Sequence, residues 1–279
     1  MVLQKTIAFI GAGSMAEAMI SGLVTSEKVK KEQVIVTNRS NQARLTEINE
    51  KYGVRTSALS ELEYSEVDIL ILAMKPKDID TALQSIKTYI TKNHLILSVL
   101  AGIKTSYIEE KLHENQQVIR VMPNTSSMIG ESATALSPGS NTSYDNVKTS
   151  EYLLQSIGKV FIIDEDKMDI FTGLAGSGPA YFYYLMEHME QVGVKQGFEP
   201  GTTRQIIAQT IVGAAKMIQE QNTTPTILRE NVTSPNGTTA AGLKALDENG
   251  GGVAIEQAVV HAAKRSKEIS EELLEKVTR

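Results

Sequence analysis

A chain of 279 residues with 41% hydrophobic content can bury a sizeable core and hold one large domain or two. Its formal net charge of −5, without any block of like charge, argues against nucleic acid or an anionic membrane surface as a general partner. Cysteine is absent, which removes disulfides, a thiolate nucleophile and any Cys-based zinc or iron–sulfur site. The apolar stretch at residues 6–13 (TIAFIGAG) is too short to span a membrane and lacks a secretory cleavage region, so a cytoplasmic protein is expected. His94, His113, His188 and His261 occur singly, without metal-ligand spacing, and no metal is expected.

In chain order, β-branched runs fall at residues 6–10 (TIAFI), 33–37 (QVIVT), 67–73 (VDILILA), 94–100 (HLILSVL), 117–122 (QVIRVM), 133–137 (ATALS) and 159–163 (KVFII). Residues 14–25, 41–52 and 77–89 between them carry apolar side chains at helical spacing. Strand–helix alternation predicts a parallel sheet covered on both faces, and the unbroken apolar runs LILA and LILSVL suit strands buried on both sides. From Asp164 onward strand signals stop, and helices are predicted over 179–196, 202–221, 225–232, 238–249 and 253–277. The expected fold is α/β: an N-terminal Rossmann-type doubly wound sheet over residues 1–163, then an all-helical domain over 164–279.

Gly11, Gly13 and Ala16 follow the first strand and open a helix, the context a dinucleotide fingerprint requires. Gly11 allows the tight turn, Gly13 admits a pyrophosphate to the backbone, and Ala16 permits close helix–strand packing. Ser14 and Met15 stand at the helix start, where free N–H groups and the positive dipole end meet phosphate. The second strand ends on Asn38, Arg39 and Ser40, where NAD-binding folds commonly place a carboxylate for the ribose. A guanidinium pairs with a 2′-phosphate and the neighbouring side chains can donate to it, which favours NADPH while leaving NADH possible.

Further strand ends face the same crevice. Ala73, Met74, Lys75 and Pro76 follow one buried strand, and Ala101 and Gly102 follow the next. Asn124 and Thr125 come after the strand at 117–122, able to donate to the carboxamide or the substrate. Residues 176–179 (GSGP) read as a flexible turn leading into a long helix, with the aromatic run 181–184 serving packing.

The segment 234–239 (SPNGTT) precedes a helix. Asn236 and Gly237 are suited to positive φ, and the helix start offers free amides plus hydroxyls: a nest for a carboxylate. An N-cap after a Pro turn explains Thr238 alone, not a motif six residues long.

The segments FIGAGSMAEAM, AMKP, VIRVMPNT, GLAGSGPAY and LRENVTSPNGTTAAGLKALDENG together resemble the pyrroline-5-carboxylate reductase family over nearly the whole chain. That resemblance implies NAD(P)H-dependent reduction of 1-pyrroline-5-carboxylate to L-proline, the last step of proline biosynthesis, in a homodimer or larger assembly built on the helical domain. It also implies that backbone groups of Gly237, Thr238 and Thr239 bind the substrate carboxylate, with Ser234 nearby and Thr239 Oγ close to the ring nitrogen. Ala73, Lys75, Pro76, Ala101 and Asn124 would line the nicotinamide side. Two positions depart from the family pattern: Asn236 where a second Gly is usual, and Ser126 where Pro commonly follows Thr125. Asn tolerates the left-handed region, so the first change should be harmless, whereas the second should loosen its loop.

Reduction of a C=N bond needs a hydride placed against one ring face, and the basic imine is protonated by water or a hydroxyl. The lack of Cys is therefore no obstacle; orientation alone can supply on the order of 7–11 kcal/mol. A β-hydroxyacid dehydrogenase shares the layout but needs a catalytic Lys, with Asn one turn later, on the interdomain helix, and residues 178–191 lack both at the helix start. A non-enzymatic NADP-binding sensor would keep GAGSMA but have no use for SPNGTT.

Overall fold

The computed structural model describes residues 2–277, with side-chain environments through residue 272. Eight strands form one sheet among these residues: β1 (Ile7–Ile10), β2 (Val34–Asn38), β3 (Arg55–Ala58), β4 (Ile69–Leu72), β5 (Leu95–Ser98), β6 (Gln117–Met122), β7 (Ser132–Pro138) and β8 (Gly158–Ile162), in the order β3-β2-β1-β4-β5-β6-β7-β8. Because successive side chains on a strand point to opposite faces, β1 serves two cores. Ile7 and Phe9 pack with Met19 and Leu23 of α1 (Ser14–Thr25), Leu45 and Ile48 of α2 (Gln42–Tyr52) and Leu153 of α5 (Tyr144–Leu154). Ala8 and Ile10 pack on the other side with Ile79 and Leu83 of α3 (Ile79–Lys87) and Ile108 of α4 (Thr105–Lys111). Both faces of β1 and β4 are covered, which is why those strands read as unbroken apolar runs. The chain leaves β1 toward β2 on one side and returns to β4 on the other. A crevice therefore opens beyond the carboxyl ends of β1 and β4.

The sheet departs from the expected parallel one in two ways. β7 runs antiparallel to β6, since residues 123–131 are too short a connection for a parallel crossover; β8 then pairs with β7 in parallel. The strand β3 has no apolar run to announce it: Arg-Thr-Ser-Ala forms an outer edge that is only half-buried at best.

Beyond β8 the chain is helical. α6 (Met168–Phe171) passes through a π-helical turn, Thr172–Gly176, into α7 (Gly178–Lys195). Residues 176–179 are thus not the flexible turn expected from their glycines. Ser177 donates its N–H to Thr172 O at 2.8 Å, five residues back, and the Thr172 hydroxyl donates to Met168 O at 2.8 Å. Glycine here makes room for a widened helical turn rather than ending the helix. α8 (Pro200–Glu220), α9 (Pro225–Asn231), α10 (Thr238–Glu248) and α11 (Gly251–Val277) follow.

By compactness the chain forms two units, Met1–Ser177 with His261–Arg279, and Gly178–Val260. The strand-to-helix change at residue 163 and this division differ because α6, the π-turn and the later part of α11 all belong to the first unit. There Ser266 donates to Asp169 Oδ1 at 2.7 Å, and Ser270 approaches Gly102. In the second unit α7 and α8 meet closely: a Cβ on Gly193 would lie 2.6 Å from Thr203 Cγ2.

Candidate cofactor and substrate sites

The turn after β1 is built for a close approach. Gly11 has φ +116°, and a Cβ there would sit 2.6 Å from Ala73 O at the end of β4, so only glycine fits. Gly13 caps α1 with no side-chain hydrogen bond, and the first bond into the helix runs from the Glu17 N–H to Gly13 O. The N–H groups at Ser14, Met15 and Ala16 therefore point out of the helix end, where an anion is favoured. Ala16 is fully buried, as close helix–strand packing demands. This helix start, capped by a glycine with no side-chain hydrogen bond, fits the pyrophosphate of a dinucleotide.

At the end of β2, Asn38 Oδ1 accepts the N–H groups of Ser40 and Asn41, both at 3.1 Å, and Asn41 Oδ1 caps α2 by accepting the Arg44 N–H at 3.0 Å. The Asn38 oxygen thus shapes the loop that presents Arg39 and Ser40. Arg39 is largely exposed, its guanidinium 3.8 Å from the Asp78 carboxylate, a loose pairing that leaves it open to a phosphate.

On the nicotinamide side, Ala73 donates its N–H to Ile10 O at 3.0 Å, Met74 packs on the second core, and exposed Lys75 precedes a 3-10 turn that Pro76 starts. Ala101 is exposed. Gly102, at φ +80°, is buried with Ser270 Cα 3.2 Å from where its Cβ would be. Its smallness is used by α11, not left open for a ligand. Ala101, Gly102, Thr172, Ser177, Ser266 and Ile269 line a cavity of about 320 Å³ in the same unit. A cavity of about 350 Å³ at Ile90, Thr91, Lys92, His113 and Glu114 lies before β5 and β6, at the wrong end of the sheet for this chemistry.

Asn124 is 9% exposed and heavily committed. Its Oδ1 accepts the Ser126 N–H at 3.1 Å, its Nδ2 donates to Ala175 O of the π-turn at 3.0 Å, and its own N–H donates to Ser132 Oγ. Nδ2 carries a second hydrogen for a ligand. Ser126 does not loosen this loop by its departure from Pro, because it contributes the N–H that a proline lacks.

The loop before α10 belongs to the second unit. Positive φ falls on Asn236 alone, at +59°, whereas Gly237 is extended at φ −80°, ψ 172°. The expectation of a left-handed Gly237 is therefore corrected, and sterics explain the glycine instead. A Cβ on it would lie 2.4 Å from Ser234 Oγ and 3.1 Å from Ser234 O, the carbonyl that accepts the Gly237 N–H at 3.0 Å. Gly237 caps α10 without a side-chain bond, leaving the Thr238 and Thr239 amides at an open helix end beside their exposed side chains.

One cluster at the cofactor turn has no sequence motif. Glu17, on the first turn of α1, accepts from Arg44, from Lys51 Nζ at 2.8 Å and from the Tyr52 hydroxyl at 2.9 Å. Hydrogen bonds from Lys51 and Arg44 pull its carboxyl from the usual 4.5 down to about 2. A second cluster ties β6 to the start of α4: Glu165 accepts the N–H and hydroxyl of Thr105 at 2.9 and 2.7 Å and pairs with buried Arg120 at 3.4 Å. The partners are 27 to 60 residues apart, so no local spacing could reveal them.

Fold and crevice together define the class of dinucleotide-dependent oxidoreductases. Residues 6–102 match a family model described as NADP oxidoreductase, coenzyme F420-dependent, and residues 165–269 match one described as pyrroline-5-carboxylate reductase dimerisation. Pyrroline-5-carboxylate reductase 1 of Bacillus subtilis is 58% identical over 270 residues, covering 97% of this chain and 91% of that protein. The B. subtilis pyrroline-5-carboxylate reductase 2 is 43% identical, covering 96% of each. Among solved structures, the Plasmodium falciparum pyrroline carboxylate reductase with NADP bound superposes with a TM-score of 0.86 at 28% identity, covering 97% of this chain and all of that one. The chain belongs to the pyrroline-5-carboxylate reductase family.

Proposed function

We infer that this protein reduces 1-pyrroline-5-carboxylate to L-proline with NADPH, the final step of proline biosynthesis, as a homodimer or larger homo-oligomer. NADH is the possible second cofactor. The observation that carries the reading is the loop at residues 234–239: an open helix start, shaped by the turn at Asn236 and the tight Ser234–Gly237 contact, beside two free hydroxyls. A protein that only sensed a nucleotide would have no use for it.

The Gly11–Gly13 turn, with Ser14 and Met15, would hold the pyrophosphate, while Asn38, Arg39 and Ser40 would meet the 2′-phosphate. Ala73, Met74, Lys75, Pro76, Ala101 and Asn124 would line the nicotinamide side. When bound, the reduced nicotinamide supplies the hydride that the imine carbon receives. The chain's own residues orient the second reactant. Backbone N–H groups of Thr238 and Thr239 grip its carboxylate, with Ser234 alongside; the Gly237 N–H, expected to join them, is already given to the Ser234 carbonyl. Thr239 Oγ, the one catalytic side chain assigned, holds a proton at the ring nitrogen as the imine becomes an amine. No strong acid is needed, because positioning supplies most of the acceleration.

Residues 1–163 serve as the NADP-binding domain and 164–279 as the helical domain for dimerisation and substrate binding. No described helix is long and apolar enough to cross a membrane, and we place the enzyme in the cytoplasm. Initial rates of NADPH and NADH oxidation with the cyclic imine, with proline quantified, test the reading: turnover with the lower KM for NADPH supports it, and no turnover with either nucleotide refutes it.

A further inference from the structure

We propose that Arg44 is a positioning residue for the nucleotide: it clamps the phosphate-binding turn and screens the carboxylate of Glu17, setting affinity for NADPH and NADH alike. The inference rests on the reading of residues 11–16 as the pyrophosphate site.

Arg44 stands in the first turn of α2 and reaches back to α1. Its Nε donates to Ala12 O at 3.0 Å, the carbonyl between the two glycines, and Ala12 is almost wholly buried. Its remaining nitrogens pair with Glu17 and, at 2.8 Å, with Glu47. The guanidinium is about four-fifths buried, and each of its three nitrogens already has an acceptor within the protein.

Glu17 poses the problem that Arg44 solves. A carboxylate in the first turn of a helix suits the helix dipole, but here the same helix end is to receive a pyrophosphate. An unscreened charge one turn away repels that anion. Arg44 and Lys51 place two cations on Glu17, one on each carboxylate oxygen. Glu17 is ionised at neutral pH with these partners, and an ordinary glutamate is ionised there without them, so its repulsion would reappear if the screen were removed.

Arg39 is the contrasting arginine. Its side chain is 73% exposed and only loosely paired, which suits a residue that reads the 2′-phosphate directly. Arg44 acts instead on the part of the site that both nucleotides share.

Titration of the nucleotide-free protein with NADPH and with NADH, followed by nicotinamide fluorescence, tests the assignment alongside Arg44→Met, Arg44→Lys and Glu17→Gln/Arg44→Met, with thermal melts for each. Arg44→Met should raise both dissociation constants by about tenfold, leaving their ratio unchanged. The double variant should recover several-fold of that loss, since the uncovered carboxylate is gone. Arg44→Lys keeps the charge but loses the Ala12 clamp and should fall between; it carries the test alone if Arg44→Met does not fold. Unchanged affinity, a loss confined to NADPH, or a double variant as weak as Arg44→Met would each overturn the proposal. Wild-type protein that bound neither nucleotide would overturn the cofactor reading and this inference with it, whereas normal wild-type binding with an unaffected Arg44→Met would overturn this inference alone.

Discussion

The two compact units of this chain use their apolar side chains differently. In the first, β1, β4 and β5 are sealed on both faces, and the large apolar side chains of α1 to α4 are mostly buried against them, with Phe161 and Ile162 of the edge strand β8 left exposed. In the second, Ile207 is the only large apolar side chain among the buried ones, while Phe182, Tyr183, Tyr184, Val192, Val232 and Val253 are more than half exposed. Phe182, Leu185, Met189 and Val192 recur on α7 at spacings of three and four, so they form one exposed apolar stripe. The first unit has a core of its own; the second presents an apolar surface within the region that matches the dimerisation model, which suits it to pack against another copy of the chain.

The largest expected effect follows from that contrast. Leu185→Glu with Met189→Glu should dissociate the assembly, because two buried charges in an apolar interface cost several kcal/mol in total. Light scattering would register a monomer that has lost nearly all activity, while circular dichroism would retain the sheet. A stable, fully active wild-type monomer would break the comparison.

Next in size is Gly237→Val. A Cβ there displaces the Ser234 hydroxyl and crowds the Ser234 carbonyl, and the branched side chain of Val adds to the crowding, so KM for the imine should rise by at least about tenfold with NADPH affinity unchanged. Thr239→Ala removes only a hydroxyl and should lower kcat by about tenfold with little change in KM, consistent with one lost hydrogen bond that strengthens in the transition state. Normal substrate binding by Gly237→Val would reduce the loop to an ordinary helix cap.

Much of the fold was legible because its signals are local. The Gly11–Gly13 turn and the starts of α1, α9 and α10 fall where glycine, proline and apolar periodicity put them. The antiparallel β7 and the edge strand β3 were hidden, the one in a connection length and the other in a segment without apolar side chains. At the candidate sites, residue types pointed to the right loops but not always to the right reasons. Gly102 is small because Ser270 lies against it, and Gly237 is a glycine because of Ser234 rather than because of its φ. Glu17 and Arg44 carry no pattern at all, since they meet only once two helices are folded onto the same sheet.

Smaller effects sharpen the account within the first unit. Arg39→Ala should weaken NADPH by about tenfold and NADH hardly at all, read from the two KM values; equal losses would remove Arg39 from the 2′-phosphate. Glu17 gives a pH signature. Its folded pKa, about 2, lies below the ordinary 4.5, so its stabilising contribution is complete above about 4.5 and is lost as pH falls toward 2. With solvent screening allowed for, the loss should be on the order of 1–2 kcal/mol, and the difference in melting temperature between wild type and Glu17→Gln should shrink across that window.

The central claim, hydride transfer to the imine carbon, is tested most directly by the fate of the hydrogen. With NADPH carrying deuterium at the transferred position of the nicotinamide, the proline formed should contain one deuterium, on its δ carbon, as mass spectrometry and NMR would report. Proline without label, or label at any other carbon, would contradict the account.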